Sequence, residues 1–146
     1  MALPKLHTIK DLFDSPSRTS ASISPDGTRM AFLAPWRNRL NIWVQDLDDG
    51  SGPRAVTADE TRSVQSFEWA DDPRWLLYLQ DSGGDENWHL FRVDLDAVEP
   101  TAVDLTPFPG ARVVSFEPSR GRPGRMTVSL NARDAAEFDL HELDVA

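Results

Sequence analysis

The sequence predicts an all-β fold, a partial β-propeller of about three WD40-like four-stranded blades. Three observations carry this: one strand ending returns at a fixed step, each repeat divides into short apolar runs, and proline, aspartate and glycine punctuate those runs. Asn41-Ile42-Trp43-Val44-Gln45-Asp46-Leu47-Asp48 matches His89-Leu90-Phe91-Arg92-Val93-Asp94-Leu95-Asp96, and Phe138-Asp139-Leu140-His141-Glu142-Leu143-Asp144 is a fainter third copy. Leu47, Leu95 and Leu143 therefore follow at steps of 48 residues. Val56-Thr57 likewise returns as Leu105-Thr106, and Phe67-Glu68 as Phe116-Glu117. Antiparallel four-stranded units at such a period are propeller blades. A β-sandwich also has many short strands between turns, but it does not account for a strand ending that comes back three times.

Residues 1–18 form a lead-in with a short helix, capped by Thr8 and carrying Ile9, Leu12 and Phe13 on one face. Residues 19–146 form the propeller, in blades of about 19–60, 61–108 and 109–146. In the first blade, Ser20–Ile23 leads through the turn Ser24-Pro25-Asp26-Gly27 into Arg29–Ala34. Proline presets φ for such a turn, and aspartate and glycine tolerate its tighter half. Met30, Ala31, Phe32 and Leu33 show no polar alternation, the pattern of a strand buried on both faces. The third strand is Asn41–Asp46, and the fourth is Arg54–Thr57. The second blade offers Val64–Trp69, Trp75–Gln80, Trp88–Asp94 and Thr101–Leu105. The third offers Arg112–Phe116, Arg125–Leu130 and Phe138–Leu143, with no fourth strand and with Ser119-Arg120-Gly121-Arg122-Pro123-Gly124 where a tidy turn is expected.

Composition narrows the function. The chain has 146 residues, 40% hydrophobic and 27% charged, the balance of a soluble globular protein. Without cysteine it has no thiolate nucleophile, disulfide or cysteine-held zinc. A net charge of −9 repels polyanions, so neither nucleic acid nor an anionic membrane is an expected partner. The first ten residues lack the apolar core of a signal peptide, and a cytoplasmic location is expected.

No catalytic residues are expected. A nucleophile elbow needs Gly-x-Ser-x-Gly between a strand and a helix, and no such pentad occurs. Ser51, in Gly50-Ser51-Gly52-Pro53, belongs to a hairpin loop. His7, His89 and His141 fall in separate elements, so no metal site is expected, and no cofactor is implied. Trp43 and Trp69 suit packing between blades, while Trp36, beside a loop, is left open.

The stretches Ile23-Ser24-Pro25-Asp26-Gly27-Thr28-Arg29-Met30-Ala31-Phe32-Leu33-Ala34-Pro35, Asn38-Arg39-Leu40-Asn41-Ile42-Trp43-Val44, Gly84-Asp85-Glu86-Asn87-Trp88-His89-Leu90-Phe91 and Asp104-Leu105-Thr106-Pro107-Phe108 together resemble the N-terminal propeller of bacterial prolyl oligopeptidase-family serine peptidases. The branch with acylaminoacyl peptidases and dipeptidyl aminopeptidases is the most similar. The resemblance implies that this is the non-catalytic propeller portion of such a peptidase. Its partner is then an α/β-hydrolase domain of the parent chain, and its role is to gate the access of peptide substrates to that domain. On its own the chain is expected to be inactive and to self-associate through an unpaired sheet edge.

Up-and-down blades place Asp81-Ser82-Gly83-Gly84-Asp85-Glu86-Asn87 on the same side as Ala58-Asp59-Glu60-Thr61-Arg62. Asp85, Glu86 and Asn87 are the candidates for substrate gating, through attraction of a free α-amino group. The plainer reading of these residues is a solvated acidic surface. Two other readings of the chain are a free-standing binding module that completes its ring by oligomerisation and a periplasmic partner-binding propeller.

Overall fold

A computed structural model of the chain describes residues 6–9, 17–119, 122 and 124–146. Among these residues eleven strands form three antiparallel sheets. The first holds β1 (Thr19–Ile23), β2 (Arg29–Trp36), β3 (Arg39–Asp46) and β4 (Arg54–Ala55), in that order. The second holds β5 (Phe67–Trp69), β6 (Trp75–Gln80), β7 (His89–Asp94) and β8 (Ala102–Asp104). The third holds β9 (Val113–Pro118), β10 (Arg125–Asp134) and β11 (Glu137–Asp144), and among the described residues β11 has no neighbour on its far side.

Three blades stand as the repeat predicts, but no helix is found among the described elements. The lead-in helix expected at Thr8, Ile9, Leu12 and Phe13 is thus unsupported, and Leu12 and Phe13 lie outside the described residues. The fourth strands are also shorter than expected. Val56 and Thr57 have left the ladder and face inward, where they close the blade instead of extending it.

Each sheet buries a face against the next. Leu76 and Tyr78 of β6 meet Ala31, Leu33, Ile42 and Val44 of the first sheet. Trp75 and Leu77, one residue out of phase, meet Val113, Met126, Val128 and Leu130 of the third. Alternate side chains of a strand point to opposite faces, so an unbroken apolar run covers both sides at once. Leu76 and Leu77 are 0% and 1% exposed, and burial of each contributes about 1.5–3 kcal/mol. Trp69 joins the first interface as expected, and its Nε1 donates to the Ser22 carbonyl at 3.4 Å. Trp43 does not. It is paired with Phe32 on the face turned away from the second sheet, because its neighbours Ile42 and Val44 take the inner face.

The repeated sequence pairs have specific hydrogen-bonding roles. The Val56 and Leu105 amides donate to the Ile42 and Leu90 carbonyls, while the Thr57 and Thr106 hydroxyls accept from the Ile42 and Leu90 amides at 2.9 Å. Each Val/Leu-Thr pair thus seals a third strand before the chain crosses to the next blade. Val64 and Val113 then donate to Leu40 and Trp88, tying each new blade to the last.

The strand-ending repeat needs one correction. The Leu47 and Leu95 amides donate to the residues just before β2 and β6, and in the third blade Val145, not Leu143, makes that bond, to Gly124. The third copy is displaced by two residues. An even displacement preserves which side chains face inward, so the apolar pattern did not reveal it.

Thr57→Val keeps the shape but strands the Ile42 amide and takes from Asn41 Oδ1 one of its two donors, leaving the Asp59 amide. Denaturant unfolding of this variant should show a loss of about 1–3 kcal/mol. A loss no larger than that of an exposed threonine would show that the pair does not close the blade.

Candidate functional site

The three blades differ most in the connection between their second and third strands. In the first, β2 turns into β3 through Arg37 and Asn38 alone, with φ of 46° and 69°, the paired left-handed residues of a tight hairpin. In the third, Ala135 and Ala136 suffice. In the second, 81–88 intervene between β6 and β7. This loop is built around its own carboxylates. The Asp85 side chain accepts from the Ser82 amide at 3.2 Å, the Asn87 amide at 3.0 Å and Asn87 Nδ2 at 3.2 Å. The Asn87 backbone bond is the main reason that Asp85 titrates below the usual carboxylate range.

Asp81 anchors the loop from beneath. Its side chain is fully buried and receives Arg62 Nε at 2.9 Å. Arg62 belongs to the link between the first and second blades, where Asp59 organises the backbone. The Asp59 Oδ1 accepts from the amides of Thr61 and Arg62, both at 2.7 Å. Burial opposes ionisation of Asp59, but these amides outweigh it and hold its carboxyl below the ordinary range. The expected juxtaposition of the two acidic segments is therefore realised, with an ion pair joining them.

Behind the loop lies a cavity of about 430 Å³ between the first two blades, whose lining includes Asp59, Tyr78, Gln80, Asp85, Asn87 and Asp104. Asp85 and Asn87 reach it. Glu86 is exposed, is not part of the lining, and adopts a left-handed φ of 59°. Tyr78 stacks on Phe91 with ring centroids 5.4 Å apart. Burial, together with the Asp59 and Asp104 charges, pushes the Tyr78 hydroxyl up to about 12. His89 Nδ1 lies 2.7 Å from Asp104 Oδ2.

Sequence reasoning missed Tyr78, inside β6, and Gln80 and Asp104, which end β6 and β8; all three pass for strand residues. The available signal was alternation: 76, 78 and 80 share one face, and polarity rises along it.

The other residues weighed from the sequence stay apart. His7 and His141 are exposed, Ser51 sits in the exposed loop after β3, and Trp36 carries the Arg37 guanidinium over its ring at 4.7 Å. Among the described residues no group of three or more histidine, cysteine or carboxylate side chains is placed to hold a metal ion.

No protein-family model matches the chain. Dipeptidyl aminopeptidase BIII of Pseudoxanthomonas mexicana is 43% identical over 137 residues, which cover 92% of this chain and 19% of that protein. A puromycin hydrolase structure superposes with a TM-score of 0.61 at 20% identity, over 88% of this chain and 22% of the other. The chain matches the propeller portion of prolyl oligopeptidase-family peptidases. The β-propeller domain of the trilobed protease from Pyrococcus furiosus, at a TM-score of 0.60 and 20% identity over 88% of this chain and 41% of that one, shares the fold. These 146 residues hold the propeller portion and no hydrolase domain, and they span about a fifth of the curated relative's length.

Arg62→Met leaves the buried Asp81 carboxylate without its cation, and removing one partner of a buried pair costs more than removing both. Thermal melts should show Arg62→Met several degrees below the parent, and Arg62→Met with Asp81→Asn closer to it. If the double variant melts no higher than Arg62→Met, the pair does not anchor the loop.

Proposed function

We propose that this chain is the non-catalytic propeller portion of a serine peptidase, where it gates and shapes substrate access to an α/β-hydrolase domain. The observation that supports this most is the 43% identity to a dipeptidyl aminopeptidase, maintained across nearly the whole chain. The propeller's part in such an enzyme is steric and electrostatic. Its long acidic loop stands on one face of the ring, beside Asp59 and Glu60, and brings negative charge to the path of a peptide's free amino group. Glu86 is the residue of that loop most open to solvent-borne substrate, since Asp85 is engaged by its own turn and Asp81 by Arg62.

In one polypeptide with the hydrolase domain, Glu86→Gln should raise KM for peptides with a free amino terminus about two- to fivefold, the contribution of one exposed charge. It should leave kcat unchanged and N-acylated peptides unaffected. An unchanged KM for free-amine peptides would remove Glu86 from substrate attraction. The coding sequence that follows Ala146 bears on the wider reading: an in-frame hydrolase domain supports it, and a stop favours a free-standing module.

The 146-residue chain by itself should self-associate. β11 offers an unpaired edge over eight residues, with Phe138 39% and Leu140 76% exposed, and an open edge of that length is a template for another strand. Size-exclusion chromatography with light scattering should therefore report a dimer or larger species. A monomer with a cooperative melt would contradict this.

A further inference from the structure

The first two blades place an unsatisfied polar side chain on the wall of a cavity. Gln80 is 7% exposed, it lines two adjoining cavities of about 430 and 340 Å³, and neither its Oε1 nor its Nε2 has a hydrogen-bond partner in the protein. Buried amides are almost always paired, so an orphan on a cavity wall marks a place where a second molecule completes the set.

The strand register fixes its surroundings. Tyr78, Phe91 and Asp104 are direct cross-strand neighbours on β6, β7 and β8, and Gln80 and His89 form the next row on the same face. The corresponding positions of the first blade are Phe32, Trp43 and Ala55, then Ala34 and Asn41. The position of Gln80 is Ala34 in the first blade and Leu130 in the third, both buried. The fold therefore requires no amide at the Gln80 position and no carboxylate at the Asp104 position, where the first blade has Ala34 and Ala55. No lysine or arginine lines either cavity. Burial raises the titration of Tyr78 first, and the Asp59 and Asp104 charges add to it. The lining takes nothing from the first strands β1, β5 and β9.

We infer that this cavity binds a guanidinium group whose carrier also presents an amide carbonyl. Gln80 Oε1 and Asp104 are the acceptors for the guanidinium N–H groups, the Asp104 oxygens using lone pairs left over by the Thr106 amide and His89 Nδ1. The stacked Tyr78 and Phe91 rings offer the flat surface on which a planar, weakly hydrated cation rests. An ammonium would use the carboxylate and the ring charge but has no flat face to lie along the rings and no fork of N–H groups to reach Gln80 and Asp104 together. Gln80 Nε2, a donor, is satisfied by the carbonyl beside the cation. Asp85 supplies charge at the rim, its oxygens already held by its turn. Arginine, free as an amide or within a polypeptide, has both groups. The inference needs only the first two blades and stands apart from the peptidase reading.

N-acetyl-arginine amide is the probe, because it lacks the free amino group on which the gating proposal depends. Calorimetric titration of the 146-residue chain should show binding that weakens about tenfold or more in Gln80→Leu and in Asp104→Asn, the scale of one lost hydrogen bond to a charged group. The neutral isostere N-acetyl-citrulline amide should not bind. Gln80→Leu removes an unpaired buried amide and should melt at or above the parent temperature, which separates lost binding from lost folding. In the unsubstituted protein the Gln80 side-chain amide resonances should shift on titration. A capped Ala-Arg-Ala peptide that binds more tightly than the probe assigns the site to a polypeptide segment, and equal binding assigns it to a small guanidine. Absence of binding at millimolar concentration, equal binding of the citrulline compound, or binding undiminished in Gln80→Leu would overturn the inference.

Discussion

A β-sheet with apolar side chains on both faces cannot shelter either face by itself, and among the described residues only the sheet β5–β8 has a neighbouring sheet on each side. Leu76 and Tyr78 rest on the first blade while Trp75 and Leu77 rest on the third, within one strand of six residues. The flanking sheets each gain one covered face from this. Their other faces are not alike. The first sheet turns Phe32 and Trp43 outward, with the Arg18 guanidinium over Phe32 at 4.6 Å. The third sheet turns Ser115, Glu117, Thr127 and Ser129 outward. Stacking therefore has a direction: the apolar demand is met in the middle, persists at one end, and gives way to hydroxyls at the other.

Polar closure makes the stacking specific. Hydrophobic burial alone tolerates sliding of one sheet over another, whereas buried amides and hydroxyls do not. Thr57 and Thr106 seal equivalent strands. Asn41, fully buried, receives the Asp59 amide and the Thr57 hydroxyl on its Oδ1. Arg29 spans two blades, reaching Asp46 at 3.1 Å and Asp96 at 2.8 Å. Arg92 lies over the Trp75 ring at 4.2 Å and donates to the Val145 carbonyl, so the last residues of the third blade are held by the second.

The repeat was visible in the sequence because these closures demand the same residue types each time. Val56-Thr57 and Leu105-Thr106 could be matched without knowing that their hydroxyls cap third strands. The second strands were legible because their apolar runs are unbroken. What stayed hidden follows from the same physics. A strand apolar on both faces does not say which face meets which blade, so the sequence did not show that Trp43 turns away from the second sheet. A displacement by two residues in the third blade left the alternation intact, so Leu143 stood in for Val145. The lead-in helix rested on one apolar face with no partner in view. Of the candidate site, the acidic loop was legible from composition, and its placement beside Asp59 followed from blade topology. Gln80 and Asp104 were not, since a polar residue at the end of an apolar strand usually marks only where the strand stops.

The second blade departs from the other two twice, and the departures adjoin. Its β6–β7 connection is the long one, and its rows at the end of β6 carry Tyr78, Gln80 and Asp104 where the first blade has Phe32, Ala34 and Ala55. A long loop costs closure entropy, and a buried amide without a partner costs desolvation. Neither is needed to stack blades, as the short turns and the apolar Ala34 and Leu130 of the neighbouring blades show. Asp81 binds the two departures together, since it follows Gln80 directly, opens the loop and takes Arg62 from the inter-blade link. One unit of a repeating scaffold has thus given up local stability at a single corner, where an acidic rim and an unpaired amide share one cavity.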